Sequence, residues 1–182
     1  MNTSLTTAFN HSNKSILWFL TKLVLFVLTW EALYYFFLKG ARIPDKQLTE
    51  FLSFSIVKVL NFFTAGSGYK VLELEYGAYI LNGAKQVIFI ADSCNNLSML
   101  VIYLSVILFL PFSAMRKIIF SVAGFLVLMV ANVIRCIALI TVYQQYNSWF
   151  DFNHKFLFSM LMMLLIFYGW MLYIKPRKHA TA

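Results

Sequence analysis

Four long apolar runs constrain this chain more than any other feature of its sequence. They cover residues 16–38, 97–112, 118–143 and 156–174. About 20 apolar residues in a helix cross the hydrocarbon of a bilayer, because each residue advances the helix by about 1.5 Å. The runs therefore predict an all-α polytopic membrane protein with about four transmembrane helices, built as one membrane domain over residues 1–182.

The composition agrees with a membrane protein and argues against nucleic-acid binding. The chain is 61% hydrophobic and 12% charged, whereas a soluble domain has about 25% charged residues. Its formal net charge is +8, but the basic residues form no basic face and no nucleic-acid motif. Lys and Arg in cytoplasmic loops explain the excess more simply. We therefore expect the lipid bilayer as a partner and no nucleic acid.

The first apolar run carries two charges, Lys22 and Glu31, which we expect to face protein or to reach toward the interface. The run is too long for the apolar region of a signal peptide, and no small-residue cleavage site follows it. The pattern therefore predicts a retained helix.

The segment between the first two long runs has a different character. In residues 48–64, four polar residues recur about three to four positions apart, which predicts an interfacial amphipathic helix with a polar side. These residues are Glu50, Ser53, Lys58 and Asn61. A fifth membrane span over 48–64 is the alternative.

Residues 69–91 are rich in strand-forming side chains such as Val71, Tyr79 and Ile88. Asn82-Gly83 is a hairpin turn signal. This stretch predicts a small extracytoplasmic β-hairpin or three-stranded patch.

The distribution of Lys and Arg predicts the orientation. The loop 113–117 and the segment after residue 174 contain basic residues and no acid, whereas 65–96 and 144–155 together contain three basic and four acidic residues. The positive-inside rule places the first pair in the cytoplasm. The segments around Cys94 and His154 then share the extracytoplasmic face of the cytoplasmic (inner) membrane. The side of the N-terminus depends on whether 48–64 crosses the bilayer.

Three chemically active side chains meet at this outer rim. Cys94 precedes the second run, Arg135 lies in the third, and His154 lies two residues before the last. A single cysteine is often only a small buried hydrophobe, which describes Cys136 well. An arginine within a span, by contrast, costs about 2.5–3.5 kcal/mol on insertion scales and is a functional candidate.

Together the three residues suit covalent acyl transfer. A thiolate forms near neutral pH when positive charge or a base is close, and the helix after Cys94 adds a partial positive charge. A Cys–His pair is a common arrangement for nucleophilic catalysis, and Arg135 could donate to a developing oxyanion. Asn132 lies three residues before Arg135 and therefore on the same helix face.

The ordered motifs resemble those of the exosortase/archaeosortase family. They are DSCNNLS before a span, ANVIRC within a later span, and NH before the last span. The resemblance extends over about residues 48–174 and looks like the compact exosortase-like members. It implies Cys94 as the nucleophile, Arg135 as the substrate or oxyanion stabiliser, and His154 as the general acid/base. Where that family commonly has Cys-Ser/Ala-Gly, this chain has Cys94-Asn95-Asn96, which lacks the flexible glycine beside the thiol.

The resemblance implies a membrane-embedded cysteine protease/transpeptidase. Its expected partners are exported proteins with a C-terminal sorting signal and a transmembrane helix. Further residues are candidates for substrate binding or for support of the thiol: Asn132, Asn95, Asn96 and Asp92. The scattered histidines and two cysteines predict neither a metal nor a cofactor. A non-enzymatic membrane scaffold or assembly factor, and a small transporter subunit, are the alternatives. The acceptor and the oligomeric state stay open.

Overall fold

The computed structural model describes residues 3–64, 68–145 and 156–175, with side chains from Ser15 onward except Gln145. The described chain is mostly helical and carries one small sheet. Its helices are α1 (Thr3–Leu33), α2 (Asp45–Phe63), α3 (Leu97–Phe109), α4 (Ala114–Gln145) and α5 (Phe158–Ile174). Its strands are β1 (Tyr69–Leu74), β2 (Gly77–Asn82) and β3 (Lys85–Ala91). A π-helical turn, Tyr34–Leu38, extends α1.

Two helical segments in the described chain are long and apolar enough to cross a membrane. They are Ser15–Leu38, with 24 residues, and Ala114–Gln144, with 31. Helices α3 and α5 are also apolar, but they have only 13 and 17 residues. About 20 residues are needed for a perpendicular span. The described helices therefore include two candidate spans, and the expectation of four stays a prediction.

Helix α3 is shorter than the apolar run that predicted it because of Pro111. The run continues to residue 112, but the helix ends at Phe109. The residue before a proline avoids the helical region, and Leu110 is extended, with φ −72° and ψ 139°. Apolar residues thus continue past the end of the helix.

The three strands form an antiparallel sheet in the order β1-β2-β3, directly before the Cys94 segment. Asn82 pairs with Lys85 across the second hairpin, and Gly83 adopts φ +60°, so the Asn-Gly turn forms where it was predicted. Gly77 is required for packing, because a Cβ there would collide with the carbonyl of Ile90 and the ring of Phe89. Of the two forms that the sequence predicted, a hairpin or a three-stranded patch, the structure has the three-stranded one.

Helix α2 covers the predicted amphipathic segment, and its polar residues differ in burial. Ser53 is fully buried, whereas Lys58 is exposed. The buried face of the helix packs against the sheet, and the exposed face carries large aromatic side chains such as Phe51 and Phe54. The structure thus has a helix over the predicted segment, and its interfacial position at the membrane stays a prediction.

Two hydrophobic clusters organise the interior. One joins α2, the sheet and the C-terminal half of α4, and includes Ile56, Ile80 and Ile140. The other joins α3, α4 and α5 around Tyr103. The approach at Tyr103 is close, because a Cβ on Gly124 of α4 would collide with its ring. Such small residues allow helices to pack tightly in membranes.

Candidate active site

The candidate nucleophile lies on a short turn between the sheet and the apolar helix α3. Strand β3 ends at Ala91, Asp92–Cys94 form one 3₁₀ turn, and α3 begins at Leu97. The backbone N–H of Asn95 donates to the carbonyl of Asp92 at 3.2 Å. This connection leaves the Cys94 side chain partly buried against the hydrophobic cluster of α2, the sheet and α4.

Asn96 adopts the backbone conformation that the missing glycine would favour. Its φ is +71°, in the left-handed region, and it caps the N-terminus of α3. Asparagine is among the few non-glycine residues that visit this region routinely. The carbonyl of Asn96 accepts the N–H of Leu100 at 3.0 Å. The departure from Cys-Ser/Ala-Gly therefore preserves the tight turn beside the thiol.

Helix α4 presents one face to this turn. Asn132 is fully buried, and its Nδ2 donates to the backbone carbonyl of Cys94 at 2.9 Å. Arg135 and Cys94 line the same small cavity, whose volume is about 40 Å³. Cys136 and Leu139 complete the α4 side of this cavity, and residues of β3 line the rest. The structure therefore brings together Cys94, Asn132 and Arg135, as the sequence predicted.

Arg135 has a hydrogen-bond donor that no described residue uses. Its Nε is buried and has no hydrogen-bond partner among the described residues. Buried polar atoms normally have a partner, so an unsatisfied donor beside a thiol is a notable exception. A guanidinium in this position can donate to an anionic oxygen that forms next to the sulfur.

An ion pair that sequence reasoning did not anticipate holds the residue two positions before the thiol. The Nε and Nη2 atoms of Arg42 donate to the two carboxylate oxygens of Asp92 at 2.7 and 2.8 Å. Thr49 Oγ1 donates to Asp92 Oδ1 at 2.8 Å. Burial alone raises the pKa of Asp92, but the hydrogen bonds from Arg42 and Thr49 and the charge of Arg42 outweigh burial and lower this pKa.

A second polar contact holds the residue after the thiol. Asn95 Nδ2 donates to Asp45 Oδ1 at 2.7 Å, and Tyr34 donates its hydroxyl to Asp45 Oδ2 at 2.8 Å. Both Asp45 and Asn95 are buried. A cavity of about 410 Å³ lies beside this network, and its lining includes Tyr34, Asp45 and Asn95 together with the Arg42–Asp92 pair.

Sequence reasoning missed Arg42, Asp45 and Thr49 because their partners lie more than 40 positions away. One local signal was present, because Pro44 followed by Asp45 is typical of a helix start. That signal predicts the beginning of α2 but not the side chains that Asp45 contacts.

His154 lies outside the described residues, so its predicted place beside Cys94 stays a prediction. Within the described ranges, no group of three His, Cys, Asp or Glu side chains could hold a metal ion.

A comparison with known families identifies the family of this chain. The model of the transmembrane exosortase family (Exosortase_EpsH) matches residues 5–173. The match covers most of the chain, which therefore belongs to the transmembrane exosortase family and is a membrane protein. No curated protein and no solved structure gave a significant match.

Proposed function

We propose that this exosortase-family protein is a membrane-embedded cysteine protease/transpeptidase. It cleaves C-terminal sorting signals of exported, membrane-anchored proteins through an acyl-enzyme on Cys94. The observation that carries the proposal is that Cys94 and Arg135 line one cavity, where the Arg135 Nε has no partner among the described residues.

The chemistry proceeds in two transfers at the carbonyl carbon of the scissile peptide bond. The Cys94 thiolate forms a C–S bond while the carbonyl electrons move to oxygen, and Arg135 donates to this oxyanion. When the intermediate collapses, the C–N bond breaks, and His154 gives a proton to the leaving amine. The substrate's anchor helix departs with that amine. The thioester is then resolved by water, which gives a carboxylic acid, or by an acceptor amine, which gives a new amide.

The spacing along α4 supports a site near the extracytoplasmic boundary of the membrane. Lys117, at the basic end of this helix, donates its Nζ to the carbonyl of Leu108 at 2.7 Å. Asn132 lies 15 positions after Lys117, which corresponds to roughly 22 Å along the helix axis. The hydrocarbon core is about 30 Å thick. With Lys117 at the cytoplasmic side, the Cys94 turn lies in the outer part of the bilayer.

This depth matches the proposed substrate. A protein that is anchored by its own helix presents the adjoining peptide bond near the same membrane boundary. Holding both reactants in one layer raises their effective concentration, and a fixed orientation lowers the barrier further. A nucleophile in the outer part of the membrane is therefore suited to cut next to an anchor.

The test compares the two cysteines in cells. Wild type, Cys94→Ser and Cys136→Ala are expressed, and mass spectrometry determines the C-termini of exported membrane proteins. Cys94→Ser should abolish processing while the variant still inserts normally. Cys136→Ala removes the thiol that packs within the hydrophobic cluster and should leave processing intact.

Equal processing by wild type and Cys94→Ser would overturn the enzyme function. It would leave a scaffold, which binds without a nucleophile, or a transporter, which needs Asn132 and Arg135 but not Cys94.

A further inference from the structure

Side chains from an earlier segment of the chain bind residues on both sides of Cys94. Arg42 and Thr49 bind Asp92, two residues before the thiol, and Asp45 binds Asn95, one residue after it. Two backbone hydrogen bonds of 3.2 Å support the turn, from Asn95 N–H to the Asp92 carbonyl and from Asp92 N–H to the Tyr76 carbonyl. Asn132 holds the carbonyl of Cys94 itself, and the side-chain contacts of Arg42, Thr49 and Asp45 fix the residues on either side of it.

The contact between Arg42 and Asp92 is geometrically specific. The guanidinium meets the carboxylate with two nearly parallel hydrogen bonds, of 2.7 and 2.8 Å. Such a fork-to-fork pair fixes orientation as well as distance. The two side chains are only 18% and 16% exposed, so water screens the pair weakly. Arg42 Nη1 also donates to the carbonyl of Leu74 at 3.1 Å, which ties the pair to the end of β1.

The backbone at Arg42 is held in an uncommon conformation. Its φ is +54°, in the left-handed region that non-glycine residues seldom occupy. Two backbone hydrogen bonds hold it there, from Arg42 N–H to Lys39 and from Lys46 N–H to the Arg42 carbonyl. From this backbone, the guanidinium reaches both Asp92 and Leu74.

The hydrogen bond between Asp45 and Asn95 is buried, and both side chains make a further hydrogen bond. Asp45 is 3% exposed and Asn95 is 2% exposed, and they share the 2.7 Å hydrogen bond. The Asn95 Oδ1 atom accepts the N–H of Leu97 at 2.9 Å, so the same side chain supports the first residue of α3. Tyr34 holds the other oxygen of Asp45. The residue after Cys94 is thus connected to the starts of two helices.

We propose that the pairs Arg42–Asp92 and Asp45–Asn95 form a positioning clamp, which holds the Cys94 sulfur toward Arg135 and the N-terminus of α3. This inference rests on the proposed function of Cys94. None of the four residues lines the small cavity of Cys94, so they act through the backbone of the turn rather than on the reacting atoms. Displacing a reacting group by about 1 Å can cost roughly a hundredfold in rate, so an anchored turn serves catalysis.

The test measures the alkylation of Cys94 by iodoacetamide as a function of pH. The full-length protein is used in nanodiscs, with Cys136→Ala in every sample so that one thiol reacts. Among the described residues that line the cavity, Arg135 is the only charged side chain, and Cys136 is the other titratable group. The pH dependence therefore reports how closely the sulfur is held to Arg135 and to the helix terminus.

Arg42→Gln and Asp92→Asn should each slow alkylation by roughly tenfold, because the sulfur is no longer held beside Arg135 and the N-terminus of α3. A simple effect of charge would instead change the two rates in opposite directions, because one variant removes a positive charge and the other a negative charge. The double variant should be no worse than either single variant, since both break one contact. Arg42→Lys restores the charge without the fork and should recover part of the rate.

Lys46→Gln is the matched control. It breaks an ion pair of 3.7 Å with Glu50 on the exposed side of α2 and should leave the pH profile unchanged. Thr49→Val removes one of the hydrogen bonds to Asp92 without changing any charge, and it should slow alkylation less than Arg42→Gln does. If Arg42→Gln does not fold, Thr49→Val tests whether the clamp positions the sulfur.

Each outcome has one meaning. Clamp variants that fold and keep the wild-type profile overturn the clamp and leave the proposed nucleophile in place. Variants that yield less folded protein with an unchanged profile have a structural role only, which also overturns the clamp. Wild-type Cys94 that reacts no faster than a thiol in the unfolded chain overturns the proposed function and the clamp together.

Discussion

The side-chain amide of Asn132 donates a 2.9 Å hydrogen bond to the backbone carbonyl of Cys94, which lies 38 positions earlier in the chain. This bond joins the middle of α4 to the turn that carries the candidate nucleophile. The other side-chain oxygen, Asn132 Oδ1, is buried and has no partner among the described residues. Asn132 therefore links Cys94 to the helix that carries Arg135.

Replacing Asn132 should weaken both the fold and the reaction. Asn132→Leu leaves the Cys94 carbonyl without its donor, and an unsatisfied buried group costs about 1–3 kcal/mol. We expect a lower melting temperature in detergent and a loss of substrate processing. Thr141→Val is the control, because it removes a side-chain hydrogen bond to the Ile137 carbonyl on the same helix, away from the thiol. Full processing by Asn132→Leu would contradict its role at the turn.

Arg135 should matter for rate more than for stability. Arg135→Gln removes the charged donor beside Cys94, and the loss of one oxyanion donor lowers kcat by about 10²–10³. We expect slow processing by a protein that inserts and melts normally.

Arg116→Gln provides the comparison for Arg135. Arg116 lies on the same helix but binds the carbonyls of Tyr173 and Lys175 at the other end. Its loss should lower stability while kcat stays close to that of wild type. Equal kcat losses in the two variants would show that Arg135 has no special place in the reaction.

The left-handed turn at Asn96 predicts an unusual pattern of substitution. Asn96→Gly keeps φ +71° accessible without a Cβ, so we expect melting and Cys94 alkylation at least equal to wild type. Asn96→Val places a β-branched side chain where such residues are outliers, and it should destabilise the protein by about 1–2 kcal/mol or more.

Ser98→Val tests the same change in ordinary helical backbone. Ser98 is exposed in the first turn of α3, so valine there should cost only a few tenths of a kcal/mol. If Asn96→Val and Ser98→Val melt alike, the backbone at Asn96 is not constrained as described.

The sequence allowed much of this site to be predicted because helices that alternate across a membrane bring fixed ends together. Cys94 lies just before α3 and Arg135 lies on α4, yet counting the apolar runs placed them on the same side, and the structure has them in one cavity. The spacing of Asn132 and Arg135 also predicted their common face. These relationships depend on helix periodicity and direction, which local sequence encodes.

The contacts of Arg42 and Asp45 could not be predicted in the same way. Each depends on how the segment before α2 folds back onto a turn 50 positions later. Asp92 is preceded by a strand and looks like an ordinary turn residue, because no sequence pattern specifies its ionic partner. The length of α3 was overestimated for a different reason, since hydropathy records apolar residues and not the helix end before Pro111.

The ion pair at Asp92 predicts a defined pH dependence of stability. Folding lowers the pKa of Asp92, so its contribution is fully present above the unfolded value of about 4 and is lost as the pH falls through the lower folded pKa. Asp92→Asn should cost about 2 kcal/mol near pH 7, and this difference should shrink below about pH 4. Tryptophan fluorescence during thermal unfolding in detergent measures both curves.

Glu50→Gln is the control for the pH experiment. Its ion pair with Lys46 is longer and more exposed, so its loss should change stability by less than about 1 kcal/mol at any pH. A constant difference between wild type and Asp92→Asn from pH 3 to pH 7 would contradict the ionic role of Asp92.

Peptide mapping of the protein after rapid acid quenching of cells that process substrate tests the thioester on Cys94 most directly. Mass spectrometry should find a peptide attached to Cys94, hydroxylamine should release it, and the Cys94→Ser protein should carry none. Unmodified Cys94 in cells where processing continues, or an adduct on Cys136 instead, would contradict Cys94 as the nucleophile.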